Sequence, residues 1–330
     1  MVYFTLSFLV IFIIIGFIYV HNFLIVVNSD KAFELPINIQ TVFFGDSHAM
    51  TAFDPDIIDD SFNASIDSEI DFLTYYKIKA LLKANKQIKN VVLSQSYHNL
   101  SIAYNRDVLN GDKYYFLIDE SGKEIIYSAD KGRLLKFQYG SQNQNTNKLY
   151  AKLLHFYHST FLWLKYDLGF PLDINNYVNF FISILKNNPN LNEHPLFPGK
   201  YQSKNSHLEN NVTEKLIKQH FYNGNEIGAS SIMIESLFKI AKYCKMNNVK
   251  LVLVNTPLHS TFRSKIPDYY IHLYDSVLVN LEDNFDNVSY FDFSTVDYPD
   301  SLYGDGDHLN ALGMERFSTE IKDLFIDRDN

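Results

Sequence analysis

The most reactive arrangement in the sequence is a serine between an acid and a histidine, directly after an apolar run. Residues 41–50 read TVFFGDSHAM, so β-branched and aromatic residues are followed at once by Gly45, Asp46, Ser47 and His48. A serine hydroxyl is a weak nucleophile at neutral pH. It needs a base to remove its proton and an acid to orient that base. The stretch therefore predicts that a second histidine and a carboxylate must come from elsewhere in the chain.

A suitable pair lies near the other end of the chain. Residues 304–313 read GDGDHLNALG, in which Asp305 and His308 have D-x-x-H spacing. A compact turn lets the Asp305 carboxylate accept a hydrogen bond from Nδ1 of His308, which leaves Nε2 free to face Ser47. Asn310 fits the N-cap of a helix that begins directly after it. These residues predict a triad of Ser47, His308 and Asp305.

The elements that must position these residues follow a strand–helix alternation. Short apolar runs predict strands, and helical spacing of apolar residues predicts the helices between them. The predicted strands are residues 39–44, 57–63, 89–94, 249–255 and 288–293, and the predicted helices are 69–85, 230–247, 268–283 and 311–327. This alternation predicts an α/β fold, a three-layer α/β/α sandwich with about five mostly parallel strands. The carboxyl ends of parallel strands meet at one rim of a sheet, so this fold can bring Ser47 and His308 together.

The paired motifs resemble those of the SGNH hydrolase superfamily, also called GDSL hydrolases. The resemblance rests on Gly45-Asp46-Ser47 early in the chain and on Asp305-x-x-His308 near its end, and it covers about residues 36–103 and 229–330. It implies a flavodoxin-like fold and ester hydrolysis or acyl transfer through a serine acyl-enzyme. Ser47 then resembles the nucleophile, His308 the general base and Asp305 the orienting acid. The resemblance implies neither a cofactor nor a metal ion.

The same resemblance implies an oxyanion hole with three donors. The family uses the backbone N–H of the nucleophile, the N–H of a glycine after the second strand, and an asparagine side chain after the third. Ser47 would supply the first donor. Ser68 stands where glycine is usual, and a backbone donor tolerates this if the local conformation accepts a side chain. The expected Gly-x-Asn-Asp is absent, so the third donor is assigned to Asn99, with Gln95 and His98 as open alternatives.

A rival interpretation of the first motif uses metal chemistry. Asp46-Ser47-His48 also has the D-x-H spacing of two-metal phosphoesterases, but that class also requires an N-H-E block, which does not occur. We therefore expect His48 to shape the pocket or cap the following turn. Asp46 is expected to accept hydrogen bonds from backbone N–H groups. Asp307 is expected to face solvent or to cap the last helix.

The region between the third and fourth predicted strands, about residues 104–228, breaks the alternation. Residues 114–118 and 124–128 predict a hairpin, the middle of the region is rich in aromatic residues, and residues 187–226 are rich in asparagine with little periodicity. We interpret the region as an insertion of mixed structure in a hydrolase-like domain of residues 36–330. Its aromatic residues either stack against sugar rings or form an ordinary hydrophobic subdomain.

The first 28 residues predict a membrane anchor. Residues 2–20 contain no charged side chain, and as a helix they would span roughly 28 Å, close to the hydrocarbon thickness of a bilayer. No Lys or Arg precedes the run and no A-x-A follows it, which favours an uncleaved anchor over a signal peptide. Charge alone does not orient the anchor. We expect a single-pass membrane protein with an extracytoplasmic catalytic domain, because the expected substrates lie there.

Composition excludes two further classes of function. The formal net charge is −9, and the 29 Lys and Arg residues are scattered. We expect no nucleic-acid partner, because backbone phosphates require a clustered basic face. Cys244 is the single cysteine, so the chain forms neither an intrachain disulfide nor a thiolate metal cluster.

These observations predict a membrane-anchored serine esterase or O-acyltransferase that acts on acylated, in particular acetylated, carbohydrate of the cell envelope. The substrate class follows from the resemblance and the anchor together. The expected partners are the carbohydrate or another acyl-ester substrate, the membrane through the N-terminal helix, and proteins of envelope assembly. The alternative is a non-catalytic envelope scaffold or carbohydrate-binding protein that keeps the SGNH fold, and the missing third block favours it.

Overall fold

The computed structural model describes most of the predicted core domain. The described residues are 33–105 and 208–325, except 209 and 225, together with 108, 118, 119, 121, 122 and 125. The chain divides into two compact units, one of residues 1–34 and 109–185 and one of residues 35–108 and 186–330. Nearly all described residues belong to the second unit, which contains every element given below.

Two sequence predictions fall on parts of the chain that are not described. The predicted anchor, residues 1–28, lies wholly outside the described residues, and the predicted hairpin lies almost wholly outside them. Within the described part of the chain, no helix is long and apolar enough to cross a membrane. The anchor and the hairpin stay predictions.

The centre of the second unit is a five-stranded sheet in which all neighbouring strands are parallel. Its strands are β1 (Thr41–Phe44), β2 (Ser61–Asn63), β3 (Asn90–Ser94), β4 (Lys250–Asn255) and β5 (Val288–Asp292). The strand order is β2-β1-β3-β4-β5. Phe44 is paired with Leu93, and Leu93 with Leu253, so the carboxyl ends of the central strands align at one rim. The α/β class and the parallel sheet are confirmed.

The described residues of the second unit form helices α1 (Ser47–Ala52), α2 (Asp71–Ala84), α3 (Asn210–Phe221), α4 (Ser231–Met246), α5 (Ser260–Arg263), α6 (Asp268–Asn284) and α7 (Ala311–Ile321). Helix α4 packs against α2 and α6, while α7 packs against α1. This arrangement is consistent with a three-layer sandwich.

The central strands β1, β3 and β4 are buried on both faces of the sheet, which explains their continuous apolar runs. Phe43, Val92 and Val252 form a cluster with side chains of α1 and α7, and the Phe43 ring stacks on Phe53 at a centroid distance of 4.5 Å. The alternate strand residues, such as Val42 and Leu251, are also fully buried. Because successive strand residues point to opposite faces, these lie on the other side of the sheet.

Two predicted element boundaries are wrong, and a helix lies in a segment for which little periodicity was expected. Strand β2 begins at Ser61 rather than at residue 57, because the preceding residues form turns that end at Asp60 with a left-handed φ of 52°. Helix α7 ends at Ile321, where a 3₁₀ turn takes over. Residues 187–226 were expected to have little periodicity, yet α3 lies within them. Its Thr213, Ile217 and His220 are buried at helical spacing.

Candidate active site

Gly45 makes the sharp turn that exposes Ser47 at the rim of the sheet. Its φ is +133°, and a Cβ there would lie 3.0 Å from the Ser94 Cβ and 3.1 Å from the Ala49 Cβ. Only glycine accepts both this conformation and this spacing. Asp46 is the N-cap of α1, and its Oδ1 accepts a hydrogen bond from the His48 backbone N–H at 2.9 Å. The predicted bracing role of Asp46 is thus confirmed, and Ser47 is the first residue of the helix.

The structure brings Ser47, His308 and Asp305 together. The distance from Ser47 Oγ to His308 Nε2 is 2.7 Å, and that from His308 Nδ1 to Asp305 Oδ1 is 2.8 Å. Asp305 Oδ1 also accepts hydrogen bonds from the backbone N–H groups of His308 and Asp307. An ionised carboxylate only accepts, so Nδ1 carries the proton. In the neutral imidazole Nε2 is then the acceptor that faces the serine hydroxyl.

The helix that follows the histidine holds this loop in place. Asn310 is the N-cap of α7, and its Oδ1 accepts a hydrogen bond from the Gly313 N–H at 3.0 Å, which confirms the predicted cap. The Asn310 side-chain amide also donates to the backbone oxygens of Ser301 and Tyr303. The loop that carries Asp305 and His308 is therefore fixed to the start of α7.

A cavity of about 260 Å³ opens over the serine. Its lining includes Ser47, Ser68, Tyr104, His220, Asp305 and His308. Helix α3 contributes Leu216 and Gln219 in addition to His220. A segment expected to be irregular therefore forms one wall of the candidate site.

Ser68 lies in this cavity with an unusual backbone. Its φ is 57°, in the left-handed region that glycine favours. The resemblance implies a glycine at this position, and the structure shows the physical reason for that preference. A non-glycine residue in such a conformation costs roughly 1 kcal/mol or more, and residues of this kind concentrate at functional sites. The surrounding loop must therefore hold Ser68 in place.

The structure does not bring Asn99 into the cavity. Asn99 Oδ1 accepts a hydrogen bond from the Ser96 backbone N–H at 2.7 Å, as part of a capping box around the 3₁₀ turn Tyr97–Leu100. The alternatives are also engaged: Gln95 Nε2 donates to Asp71, and His98 Nε2 lies 2.9 Å from Asp46 Oδ2. Among the described residues that line the cavity, none is Asn99, Gln95 or His98. Each of the three side chains is instead held by a hydrogen bond to a neighbouring residue.

The prediction for Asp307 is wrong. Its side chain is 0 % exposed and does not cap α7. Asp307 Oδ1 lies 3.0 Å from His308 Nδ1, while Oδ2 lies 2.8 Å from His220 Nε2 and 3.4 Å from His48 Nε2. Asp305 and Asp307 lie on either side of Gly306. The sequence pattern of this loop did not reveal that both carboxylates are buried.

Next to Ser47, imidazoles and carboxylates form a network that is buried except for the partly exposed His308. We call it the histidine network: Asp46, His48, His98, His220, Asp307 and His308. Asp46 Oδ1 lies 3.0 Å from His48 Nδ1, and the His48 ring packs on His98 at 4.4 Å and on His308 at 4.6 Å. His220 Nδ1 contacts the Tyr104 hydroxyl. Sequence patterns missed His220, and they suggested His98, which follows β3 at the same rim, only as an oxyanion donor.

The charges of this network shift its pKa values in opposite directions. Burial alone would lower the pKa of His48, but the Asp46 charge raises it to about 9. Burial, together with the charge of His48, lowers the pKa of His98 to about 4. Burial would also lower the pKa of His308, yet the Asp307 charge and the contact with Asp305 raise it well above its usual value. The imidazole beside Ser47 therefore binds its proton tightly.

Two sets of side chains have ligand atoms close enough together to suit a metal ion: Asp46, His48 and His98, and His48, Asp307 and His308. In the first set the Asp46 carboxylate already bonds both imidazoles. In the second set Nδ1 of His308 donates to Asp305, and Nε2 faces Ser47. We therefore interpret both sets as acid–imidazole pairs rather than as metal sites.

Comparison with models of protein families gave no match, and neither did comparison with curated proteins. Sequence similarity therefore supports no family assignment. Function is therefore inferred from the geometry of the site and from the motifs that resemble SGNH hydrolases.

Proposed function

We propose that this protein is a serine esterase or O-acyltransferase of the SGNH type. The observation that carries the proposal is the 2.7 Å contact between Ser47 Oγ and His308 Nε2, with Asp305 hydrogen-bonded to Nδ1 of the same ring. A nucleophile, a base and an orienting acid in this order are the requirements for serine-based acyl transfer. The strand order β2-β1-β3-β4-β5 is also that of flavodoxin-like folds.

The reaction proceeds in two steps. In the first, Ser47 Oγ attacks the ester carbonyl carbon while His308 Nε2 takes the hydroxyl proton. The bond from the carbonyl carbon to the alcohol oxygen then breaks, and His308 returns the proton to the departing alcohol. In the second step, water or a sugar hydroxyl gives its proton to His308 and attacks the carbonyl carbon of the acyl-enzyme. The bond from that carbon to Ser47 Oγ then breaks, and His308 returns the proton to Ser47 Oγ. Hydrolysis and transfer differ only in this acceptor.

Backbone groups near the nucleophile are suited to stabilise the oxyanion. Ser47 is the first residue of α1, so its N–H has no partner within the helix. Ser68 lines the same cavity and has the left-handed backbone that glycine favours. Its backbone N–H is therefore the candidate for the second donor. The third donor has no counterpart among Asn99 and its alternatives. Loss of one such donor costs roughly 100- to 1,000-fold in rate, so we expect slow turnover.

The cavity favours a short acyl group on a polar alcohol. Its volume of about 260 Å³ is small for a ligand pocket, and Gln219, His220 and Tyr104 place polar atoms in its wall. An acetyl group with part of a sugar ring matches this size and polarity better than a long acyl chain. We propose acetylated envelope carbohydrate as the substrate class, and the membrane anchor and extracytoplasmic location belong to the same proposal.

A second function is favoured by two specific features. Against the effect of burial, the Asp307 charge and the contact with Asp305 raise the pKa of His308, and this disfavours the neutral imidazole that accepts the serine proton. The three residues considered for the third oxyanion donor, Gln95, His98 and Asn99, also do not line the cavity. Both features suit a non-catalytic scaffold or carbohydrate-binding protein with the same fold.

A fluorophosphonate probe separates these functions because it labels only an activated serine. We expect full-length wild-type protein to be labelled and Ser47→Ala not to be. Ser276→Ala removes an exposed serine of α6 and should be labelled like the wild type, which makes it the matched control. Absence of labelling in folded wild-type protein would refute the enzyme and support the scaffold. Acetate release measured with and without a sugar acceptor then separates hydrolysis from transfer.

A further inference from the structure

The imidazole of His308 contacts two carboxylates, and they contact it in different ways. Asp305 Oδ1 lies 2.8 Å from Nδ1 and receives its hydrogen bond. Asp307 Oδ1 lies 3.0 Å from the same nitrogen but receives no hydrogen bond from it. A single N–H points in one direction only, and the Nδ1 proton points toward Asp305. Asp307 acts on the ring through its charge.

Asp307 is a buried anion whose close neighbours are imidazoles. Its side chain is 0 % exposed, and neither carboxylate oxygen makes a directed hydrogen bond with a described residue. Oδ2 lies 2.8 Å from His220 Nε2 on α3 and 3.4 Å from His48 Nε2 on α1. A buried carboxylate in this state requires positive charge nearby. His48, His220 and His308 are the groups that can supply it.

The other carboxylates of the site, Asp46 and Asp305, are linked to the Asp307 carboxylate through an imidazole that lies between them. Asp46 pairs with His48 and His98, and Asp305 shares His308 with Asp307. Tyr104, on the far side of His220, contributes a neutral hydroxyl. Asp307 is therefore the carboxylate that His308 shares with His48 and His220.

We propose that Asp307 is a second positioning residue of the catalytic base, which stabilises the charge of the His308 imidazolium while Asp305 directs its Nδ1 proton. The inference rests on the proposed function, because it assigns a part in the same proton transfer. Its basis is geometric: a buried carboxylate oxygen lies 3.0 Å from the ring that becomes charged. A charge in such a site acts more strongly than one in water.

The proton balance of the step is simple. The O–H bond of Ser47 breaks as Oγ bonds the carbonyl carbon, and the proton goes to His308 Nε2. His308 gains one positive charge, while Asp305 and Asp307 keep their negative charges and no proton leaves Nδ1. When the alcohol departs, the proton returns from Nε2 to its oxygen. Asp307 is unchanged throughout and acts only by favouring the charged ring.

Asp307→Asn tests this role because it removes the charge and keeps the shape. We measure kcat and KM for p-nitrophenyl acetate from pH 5 to pH 10 with full-length protein. We expect the plateau kcat/KM to fall roughly 10- to 100-fold through kcat, since Asp307 does not line the cavity. We also expect the acid limb to move about one pH unit or more to lower pH. Without the nearby negative charge, the imidazolium loses its proton more readily.

Two variants serve as controls for Asp307→Asn. Asp307→Glu keeps the negative charge and should leave the acid limb close to that of the wild type. Asp300→Asn removes the carboxylate of another acid–imidazole pair, 3.2 Å from His259 Nε2 but 81 % exposed and outside the cavity. We expect it to leave both the rate and the pH profile unchanged.

Histidine titration by NMR provides a measurement that needs neither activity nor a folded Asp307 variant. In ¹³C-histidine-labelled wild type, His308, assigned by its loss in His308→Gln, should titrate well above its ordinary pKa. Titration at the ordinary value would overturn the proposal, as would an acid limb in Asp307→Asn that matches the wild type. Failure of the proposed function is a separate result, namely absence of Ser47-dependent labelling, and it leaves the titration readable.

Discussion

Replacing Lys77 with methionine will destabilise the fold and loosen the loop that carries Ser68. Lys77 lies on α2 and is fully buried. Its Nζ donates to Glu69 Oε2 at 2.6 Å and to the Ala64 backbone oxygen at 2.5 Å. Glu69 Oε1 accepts a further hydrogen bond from Thr74. Because residues 64 and 69 flank Ser68, the ammonium group of Lys77 fastens both ends of this loop.

The expected loss follows from the burial of the pair. Removing one partner of a buried ion pair costs about 3–5 kcal/mol, because the other charge remains uncompensated. Burial already raises the pKa of Glu69 although Lys77 opposes the shift, and without Lys77 the carboxyl takes up a proton more readily. This protonation limits the loss, so we expect about 3 kcal/mol at pH 7. The loss should shrink at lower pH, where Glu69 is neutral in the variant.

A double-mutant cycle with urea unfolding measures this coupling. Lys77→Met, Glu69→Gln and the double variant should show a coupling free energy of about 2 kcal/mol, since the double variant leaves no unpaired charge. The rate of fluorophosphonate labelling should also fall in Lys77→Met. The matched control is Lys239→Met, whose partner Glu235 lies 3.9 Å away on the surface of α4, and it should cost less than about 1 kcal/mol. The reasoning is refuted if both lysine variants cost the same, or if the cycle is additive.

Two further predictions concern the acid of α2 and the chelation of metal ions. Burial raises the pKa of Asp71 to about 8, against a partial lowering by the Gln95 hydrogen bond, from a usual value of 3.8. A carboxyl whose pKa is raised on folding stabilises the fold below its unfolded pKa, and this contribution is lost as pH rises through about 8. Asp71→Asn should therefore lose less stability than the wild type between pH 4 and pH 8 in urea unfolding, and equal losses would contradict the assignment. Dialysis against EDTA should leave Ser47 labelling unchanged, because the proposed base is an imidazole. A loss of labelling that Zn²⁺ restores would instead favour the metal interpretation.

Local patterns in the sequence determined the frame of the site. Apolar runs separated by helical patterns predicted a parallel sheet, because strands covered on both faces need no polar alternation. Gly45 and Asn310 were assigned to a turn and a cap by conformational preferences that act within a few residues. The general rule that parallel strands end at one rim was enough to expect Ser47 close to His308, and the structure places their reacting atoms 2.7 Å apart.

The tertiary structure alone decided which way the remaining polar side chains point. Asp307 follows the same loop as Asp305, and its inward direction depends on His220 and His48, which come from helices distant in sequence. Asn99 was expected in the cavity, but a neighbouring backbone N–H binds its side chain elsewhere. Such directions are set by contacts between elements. Periodicity reports how each element is buried, and it carries no information about which partner its polar groups will meet.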